Sequence, residues 1–456
     1  MRTLNSPTSQ SVRVKILEAA PPLYNFKVDG RLFGFDPNSL ILLLLDNEEE
    51  IEQTKNWSVR WAPNWPLYGR SSVRQLVLQA CYACNLNCSY CSVQTKLLGT
   101  TTAPRMMQFD TAVRAIEMFF DAKQLPQTGQ ISFFGGEPLL NWPLIEKVAE
   151  HFAHLTAPRT GGLHITTNGT LLTDDRCAFL KRFGFSHIVS LDGPPHIHDQ
   201  LRKKHDGSGS FEDVMAGLNL MRKHQLTANL TLRATFSPQT ADSLLERTEY
   251  LNGLMYQGFA SHVSVEPAFL TESICVDRSG VEYGMERMAD LTERMRPLYR
   301  QVGDFLVAQV QTGHRPSFHN ITQLIKRLFY CEGSPSDCGA GMGSLSVDPE
   351  GKVYACHRTT NTQIGSLQLG GIDEAARCQW ADNRYYVRER CPTCPIRSIC
   401  GGGCREESLC DSGNIHKPTE VGCTFKRLWF EVAASVLARL RADQVRAWLP
   451  SNRPKG

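Results

Sequence analysis

The sequence predicts an α/β chain built on a partial (β/α)6 barrel of the TIM type, with a small N-terminal β-containing domain before it and a cysteine-rich domain after it. Three observations carry this expectation. Six short β-rich runs alternate with amphipathic helical stretches between residues 73 and 270, polar or glycine-rich signals directly follow four of those runs, and ten cysteines crowd between Cys331 and Cys423. Strand-helix alternation implies a parallel sheet with right-handed crossovers, and six units fall short of the eight that close a barrel.

The chain has 456 residues, enough for about three domains of roughly 150 residues each. With 41% hydrophobic residues each could bury a core, and a formal charge of +3 gives no bulk reason to expect a nucleic-acid or membrane-surface partner. The opening MRTLNSPTSQSVRVK lacks the apolar stretch and small-residue cleavage site of a secretory signal. The longest apolar run, Leu40 to Leu45, is far too short to span a bilayer. A soluble cytoplasmic protein is the default expectation. Its 16 cysteines then point to metal ligation, because structural disulfides are rare in a reducing compartment.

Residues 1–70 form the first expected domain. Val12 to Leu17 and Tyr24 to Val28 are β-like, DNEEEIEQTK (46–55) reads as a solvated helix face or loop, and WAPNWPLYGR (61–70) as a linker. Across 71–275 the strand candidates are VRQLVLQ, GQISFF, GLHITT, HIVSL, NLTLRATF and HVSVE. Helical patterns fill the gaps: Asp110 to Ala122, Trp142 to Leu155, Asp174 to Phe183, Phe211 to His224 with a Ser210/Asp213 capping-box pattern, and Ala241 to Leu254. Residues 276–328 read as a helical connection, 329–426 as a small domain organised around metal, and 427–456 as a C-terminal packing helix.

The signals after the strands fall on one rim: cysteines after the first, GGEP (135–138) after the second, NGT (168–170) after the third and LDGPP (191–195) after the fourth. In barrels that carboxyl edge carries the active site. The cysteines are spaced Cys84-x3-Cys88-x2-Cys91, so three thiolates on one tight loop could bind three irons of a four-iron cluster and leave the fourth iron open. The alternative is a closed zinc site recruiting Cys81, in the spacing Cys81-x2-Cys84-x3-Cys88-x2-Cys91. That alternative leaves the other rim motifs unexplained.

Cys84, Cys88 and Cys91, with Tyr90 just before the last, resemble the signature of the radical S-adenosylmethionine (SAM) enzymes, and GGEP is similar to that family's second-strand motif. The resemblance spans about residues 76 to 270. It implies that the backbone of Gly135, Gly136, Glu137 and Pro138 meets the SAM amino group, that Asn168, Ser190, Asp192 and Glu266 (in VEPA, 265–268) line the SAM pocket, and that Arg202 contacts the SAM carboxylate. It also implies that an electron from the reduced cluster cleaves SAM to methionine and a 5'-deoxyadenosyl radical. Iron-sulfur potentials span roughly −700 to +450 mV, and this step needs the low end. A reducing partner such as flavodoxin or ferredoxin is implied with it.

Downstream, Cys338-x12-Gly351-x4-Cys356, then Cys391-x2-Cys394-x5-Cys400-x3-Cys404 and Cys423, is similar to the seven-cysteine SPASM pattern. By that resemblance the C-terminal domain is an iron-sulfur SPASM domain with two auxiliary [4Fe-4S] clusters, one on Cys331, Cys338, Cys356 and Cys404, the other on Cys391, Cys394, Cys400 and Cys423. Three [4Fe-4S] clusters and SAM are thus the expected cofactors. A pair of zinc ribbons is the alternative for this domain. Cys81, Cys177, Cys275, Cys378 and Cys410 remain as ordinary thiols.

SPASM enzymes of this kind mostly modify peptides or proteins. Sulfatase maturases, which make formylglycine, carry an Asp after the cysteine matching Cys356, whereas this chain has His357. The CHR ending of YACHR (354–358), FFGGEPLLNW and HITTNGTLLT look more like maturases that install thioether or related cross-links in ribosomally made peptides. Residues 1–70 would then be a degenerate leader-peptide recognition element, with the β-like part but without a convincing helical part. Asp337 and His357 are candidate bases beside the first auxiliary cluster, with a surface-turn Asp and a cluster-neighbour donor as the bland readings. His196, His198 and His205 read as an exposed loop rather than a metal site. Three readings follow: a cross-linking peptide maturase, a formylglycine-forming or other radical peptide modifier (epimerisation, excision), and a multi-cluster electron carrier.

Overall fold

The dipeptide Asp29-Gly30 lies between the apolar-rich runs YNFKV and RLFGF, and both of its residues take positive φ (51° and 74°), as a two-residue hairpin turn requires. In the computed structural model, which describes residues 2–3, 23–37, 39–47, 49–50, 73–91, 105–119, 129–156, 162–268, 288–334, 336, 338–358, 363–381 and 385–450, this hairpin builds the N-terminal sheet. β1 (Arg2–Thr3), β2 (Tyr24–Val28), β3 (Arg31–Phe35) and β4 (Leu42–Leu45) pair antiparallel in the order β1-β4-β3-β2. The expected strand Val12 to Leu17 and the stretch WAPNWPLYGR lie outside the described residues, as do positions 48 and 51–55 of DNEEEIEQTK. β3 was not anticipated.

The main sheet holds β5 (Gln75–Cys81), β6 (Gln130–Gly135), β7 (Gly162–Thr167), β8 (Ser186–Ser190), β9 (Leu230–Phe236) and β10 (His262–Pro267), all parallel and in sequence order. Each predicted run is a strand. Between them lie α1 (Phe109–Phe119), α2 (Trp142–Thr156), α3 (Asp174–Arg182), α4 (Pro195–Leu201), α5 (Phe211–Lys223) and α6 (Leu244–Tyr256). Among the described residues β10 pairs only with β9, so that edge is open.

The other edge continues. After α7 (Met288–Gln311) and α8 (His319–Phe329), β11 (Ser344–Val347) pairs parallel with β5, and β12 (Lys352–Tyr354), β13 (Gln363–Ser366) and β14 (Gly371–Ile372) extend the sheet antiparallel. The last helices are α9 (Glu374–Ala381), α10 (Arg397–Cys400), α11 (Arg405–Ser412), α12 (Glu420–Arg439) and α13 (Ala442–Trp448). The expected single C-terminal helix is therefore two, broken where Leu440 and Arg441 take extended backbone. Among the described residues no helix is long and apolar enough to cross a membrane.

One apolar cluster runs from Val28 and Phe33 through the parallel strands to Val445 and Trp448. Phe430 of α12 meets Phe26 at 5.2 Å and Phe35 at 5.0 Å, and the Ser435 hydroxyl donates to Asp29 at 2.6 Å. The N-terminal sheet is thus packed on a C-terminal helix by ring contacts that bury large apolar areas.

Two local expectations fail. Ser210 makes no capping box, because its hydroxyl donates to Arg202 O at 2.7 Å and Asp213 pairs with Lys204; Asp199 instead accepts from the backbone of Ser210 and Phe211, both at 2.8 Å. The histidines are only in part an exposed loop: His196 and His205 are exposed, His205 in a turn where it meets Cys84 O at 2.9 Å, but 195–201 is helical and His198 is fully buried. Sequence spacing was blind to these tertiary partners.

Candidate active site

Backbone approach sets the geometry of the rim. Gly135 leaves β6 at φ +136°, and a Cβ on it would stand 2.3 Å from Cys81 O, while one on Gly136 would stand 2.0 Å from Ala83 O. Only glycine permits that closeness. Gly136 N and Glu137 N donate to Cys81 O and Ala83 O at 2.9 and 2.8 Å, tying the start of the cysteine loop to the end of β6. The Glu137 carboxylate, 1% exposed, accepts from Thr167 Oγ1 at 2.6 Å, Asn168 N at 2.7 Å and Leu139 N at 3.0 Å. Burial raises its pKa against those three donors. Its side chain clamps β6 to β7, so what GGEP can offer a ligand is backbone.

The cysteine loop is stitched to the segment after α4: Asn87 N donates to Lys203 O at 2.7 Å and Ser89 N to Leu201 O at 3.0 Å. Burial pushes Cys84 up to about 12 and Cys88 to about 11, with Cys91 adding to both. Such thiols stay protonated near neutral pH unless a bound cation takes the proton's place. Cys81 faces away, its thiol 3.1 Å from Glu137 O. Asn168 bonds Asn85 at 2.9 Å and stands 3.9 Å from Cys84 Sγ.

Asp192, fully buried, gathers the neighbouring ends. One oxygen accepts Tyr90 OH at 2.7 Å and pairs with Arg202 Nε at 2.9 Å; the other accepts Thr235 N at 2.8 Å. Its carbonyl takes Arg247 Nη1 at 2.7 Å, and its N–H donates to His198 Nδ1 at 3.2 Å. The Arg202 guanidinium also lies 5.3 Å from the centre of the Tyr90 ring, a cation–π contact.

β7, β8 and β9 alternate strictly. Leu163, Ile165, Val189, Leu232 and Ala234 are buried on one face, while His164, Thr166, Ser186, Ser190, Thr231, Arg233 and Thr235 are half-buried on the other. A parallel sheet covered on both faces reads as continuous apolar runs, so this alternation marks a polar face lining an interior space. Across it stand Glu266 and the turn after β12: the His357 ring meets Phe134 at 4.7 Å, and Gln79 Nε2 donates to His357 O at 2.8 Å. Burial, then the Arg358 and Arg233 charges, hold the His357 imidazole down to about 3, so it is neutral. Glu266 accepts from Ser264 Oγ at 2.6 Å and Asn320 Nδ2 at 2.8 Å, and against the cost of burial Arg233 and these donors lower its pKa.

Of the C-terminal cysteines, Cys391, Cys394, Cys400, Cys404 and Cys423 line one cavity with Arg388 at its wall. Cys338, Cys356 and Cys404 all act on the Arg405 charge. Burial pushes Cys356 and Cys391 to about 11 and Cys404 to about 12. Cys331 follows Tyr330, the C-cap of α8, and takes the left-handed region (φ 51°), its sulfur 4.0 Å from Leu40 O. Among the described residues no three such groups converge closely enough to hold a single metal ion. Asp337 lies outside the described residues, and so does Cys275.

Arg233, Arg358 and Phe134 were not singled out as site residues from the sequence, and His198 was read only as part of an exposed loop. An arginine at an alternating interior position of NLTLRATF was the available signal for the first.

Residues 79–251 match the sequence model of the radical SAM superfamily, and the chain is a radical SAM enzyme whose domain binds SAM. That sets aside the electron-carrier reading. The chain is 24% identical over 366 residues to the radical SAM cyclopropyl synthase TigE of Paramaledivibacter caminithermalis, covering 78% of this chain and 73% of that protein. It is 27% identical over 340 residues to a serine-type anaerobic sulfatase-maturating enzyme of Klebsiella aerogenes, covering 71% and 77%. Its fold is similar to that of native anSMEcpe with bound AdoMet and Cp18Cys peptide, at TM-score 0.65, 20% identity and coverage of 80% and 97%.

Proposed function

We propose that this enzyme is a peptide maturase that installs an intramolecular cross-link, a thioether or a related bond, in a ribosomally made peptide or protein. In this reading residues 71–275 form a partial barrel, 329–426 a SPASM domain, and 1–70 an N-terminal domain for the leader peptide. The observation that carries it is the polar inner wall lying between the Tyr90–Asp192–Arg202 group and the Cys356–His357–Arg358 turn. A substrate seated there meets both cysteine groups. The fit to the cofactors is chemical: one buried and two half-buried thiols on one loop with Cys81 turned away, and a glycine cradle that a Cβ would fill.

Cys84, Cys88 and Cys91 would hold the SAM-binding cluster, with Tyr90, GGEP, Asn168, Ser190, Asp192, Arg202 and Glu266 around SAM. Cys331, Cys338, Cys356 and Cys404 would hold one auxiliary cluster, and Cys391, Cys394, Cys400 and Cys423 the other. When bound, reduced cluster and SAM supply the radical that removes a hydrogen atom from substrate. Asp192 orients Tyr90 and Arg202, the inner wall excludes water, Asp337 or His357 would take the proton released as the new bond forms, and the remaining electron would pass to the auxiliary cluster on Cys331, Cys338, Cys356 and Cys404. A flavodoxin or ferredoxin would deliver the electron.

Formylglycine formation is the second reading, favoured by the relatives named as serine-type and cysteine-type anaerobic sulfatase-maturating enzymes. Anaerobic reconstitution with dithionite and SAM tests the class: 5'-deoxyadenosine is expected, with about twelve irons per chain for three four-iron clusters. Product peptides lacking two hydrogens and inert to hydrazides support the cross-link. A hydrazide-reactive aldehyde would replace it with formylglycine.

A further inference from the structure

Register sets Arg233 on the inward face of β9, between Ser190 of β8 and Ser264 of β10. A guanidinium that deep is costly to desolvate unless an anion meets it. Yet among the described residues Arg233 makes no side-chain hydrogen bond or ion pair. Asp192 pairs with Arg202. Glu266 is the carboxylate whose charge acts most on Arg233, but among the described residues the two make no ion pair, and the Glu266 oxygens are hydrogen-bonded by Ser264 and Asn320. Arg358 is faced by Cys404, Cys356 and Glu407. His164, His319 and His357 are kept neutral by burial. The charges that act most on Arg233 are those of Glu266 and Arg358, ahead of Arg202 and Tyr90.

We propose that Arg233 receives a carboxylate that the substrate carries beside the residue being modified, so that this enzyme selects peptides with an aspartate or glutamate at that place. The proposal rests on the reading of the substrate as a peptide. The other ligand able to bring a carboxylate into this cavity is SAM itself, and the test separates the two. A guanidinium and a carboxylate pair through two parallel hydrogen bonds, which gives position as well as attraction.

The test is selection of a random octapeptide library, blocked at both termini, on reconstituted holoenzyme with SAM present. Wild type should enrich Asp or Glu over Asn or Gln at one position by about tenfold or more. Arg233→Gln should lose that preference, Arg233→Lys keep part of it, and Arg233→Glu turn it toward Lys and Arg. Selected peptides with no acidic preference, or a preference that survives Arg233→Gln, would overturn the proposal and leave the peptide reading standing. A library in which nothing is retained above an unrelated control protein overturns both. SAM affinity by equilibrium dialysis should stay within about twofold in Arg233→Gln, because the carboxylate is not SAM's. A loss of about tenfold or more assigns it to SAM and overturns the proposal.

Discussion

Asp192 and Arg202 form a buried ion pair at 2.9 Å, and the oxygen that makes it also accepts the Tyr90 hydroxyl at 2.7 Å. Through that carboxylate the cysteine loop, the end of β8 and the segment after α4 are held as one unit. Asp192→Asn keeps the shape and removes the charge, leaving a buried guanidinium unmatched. It should cost about 2–4 kcal/mol of stability in thermal unfolding and weaken SAM binding about tenfold or more. Asp192→Leu with Arg202→Met should recover much of the stability and none of the SAM affinity. Recovery of both would mean the pair is structural only.

Cys81 and Cys88 are both buried, but only Cys81 is spent on a backbone carbonyl, that of Glu137. Cys81→Ala should leave 5'-deoxyadenosine production and iron content near wild type. Cys88→Ala should abolish the first and, on the proposed count of three clusters, lower the second by about a third. Equal loss from both would bring Cys81 back as a ligand.

Gly136→Ala places a methyl 2.0 Å from Ala83 O, a contact against backbone that no rotamer relieves. The cysteine loop must move off β6. SAM cleavage should fall by about two orders of magnitude or more, with stability down about 2–4 kcal/mol. Gly253, with nothing within 4 Å of an added Cβ, is the control, and Gly253→Ala should be silent.

His187 is 2% exposed, and neither ring nitrogen has a hydrogen-bond partner among the described residues. Burial, then the neighbouring His164, lower its pKa from 6.5 to about 3. Between those values the unfolded chain binds the extra proton, so this residue's contribution is intact above pH 6.5 and is lost as pH falls toward 3. His187→Leu should stabilise by about 1 kcal/mol at neutral pH by removing unpaired polar atoms, and by about 2 kcal/mol more near pH 5. Thermal unfolding of both chains across pH 5 to 8 checks this. A constant difference with pH would refute it.

The six parallel strands and the rim motifs were legible because strand alternation and post-strand glycines are local signals. The hairpin turn Asp29-Gly30 was equally local and was passed over, since Arg31 and Gly34 dilute the apolar pattern of β3. Ser210 and His198 were misjudged for a different reason: each is decided by partners eight or more residues away, Ser210 by Asp199 and Arg202, His198 by Ser210. Arg233 was visible as a letter, but what makes it notable is the missing partner, which only three-dimensional placement reveals.

β11 lies beside β5 in parallel register, Leu345 level with Leu76 and Val347 with Leu78. The strand that delivers the three-cysteine loop therefore has neighbours on both sides, one from each half of the chain. Cutting the chain before β11 would bare a long apolar strand edge and invite other chains to pair with it. Swapping the C-terminal half for that of a relative would succeed only when the graft preserves this four-residue seam, which makes β11 the splice point to respect in any chimeric enzyme.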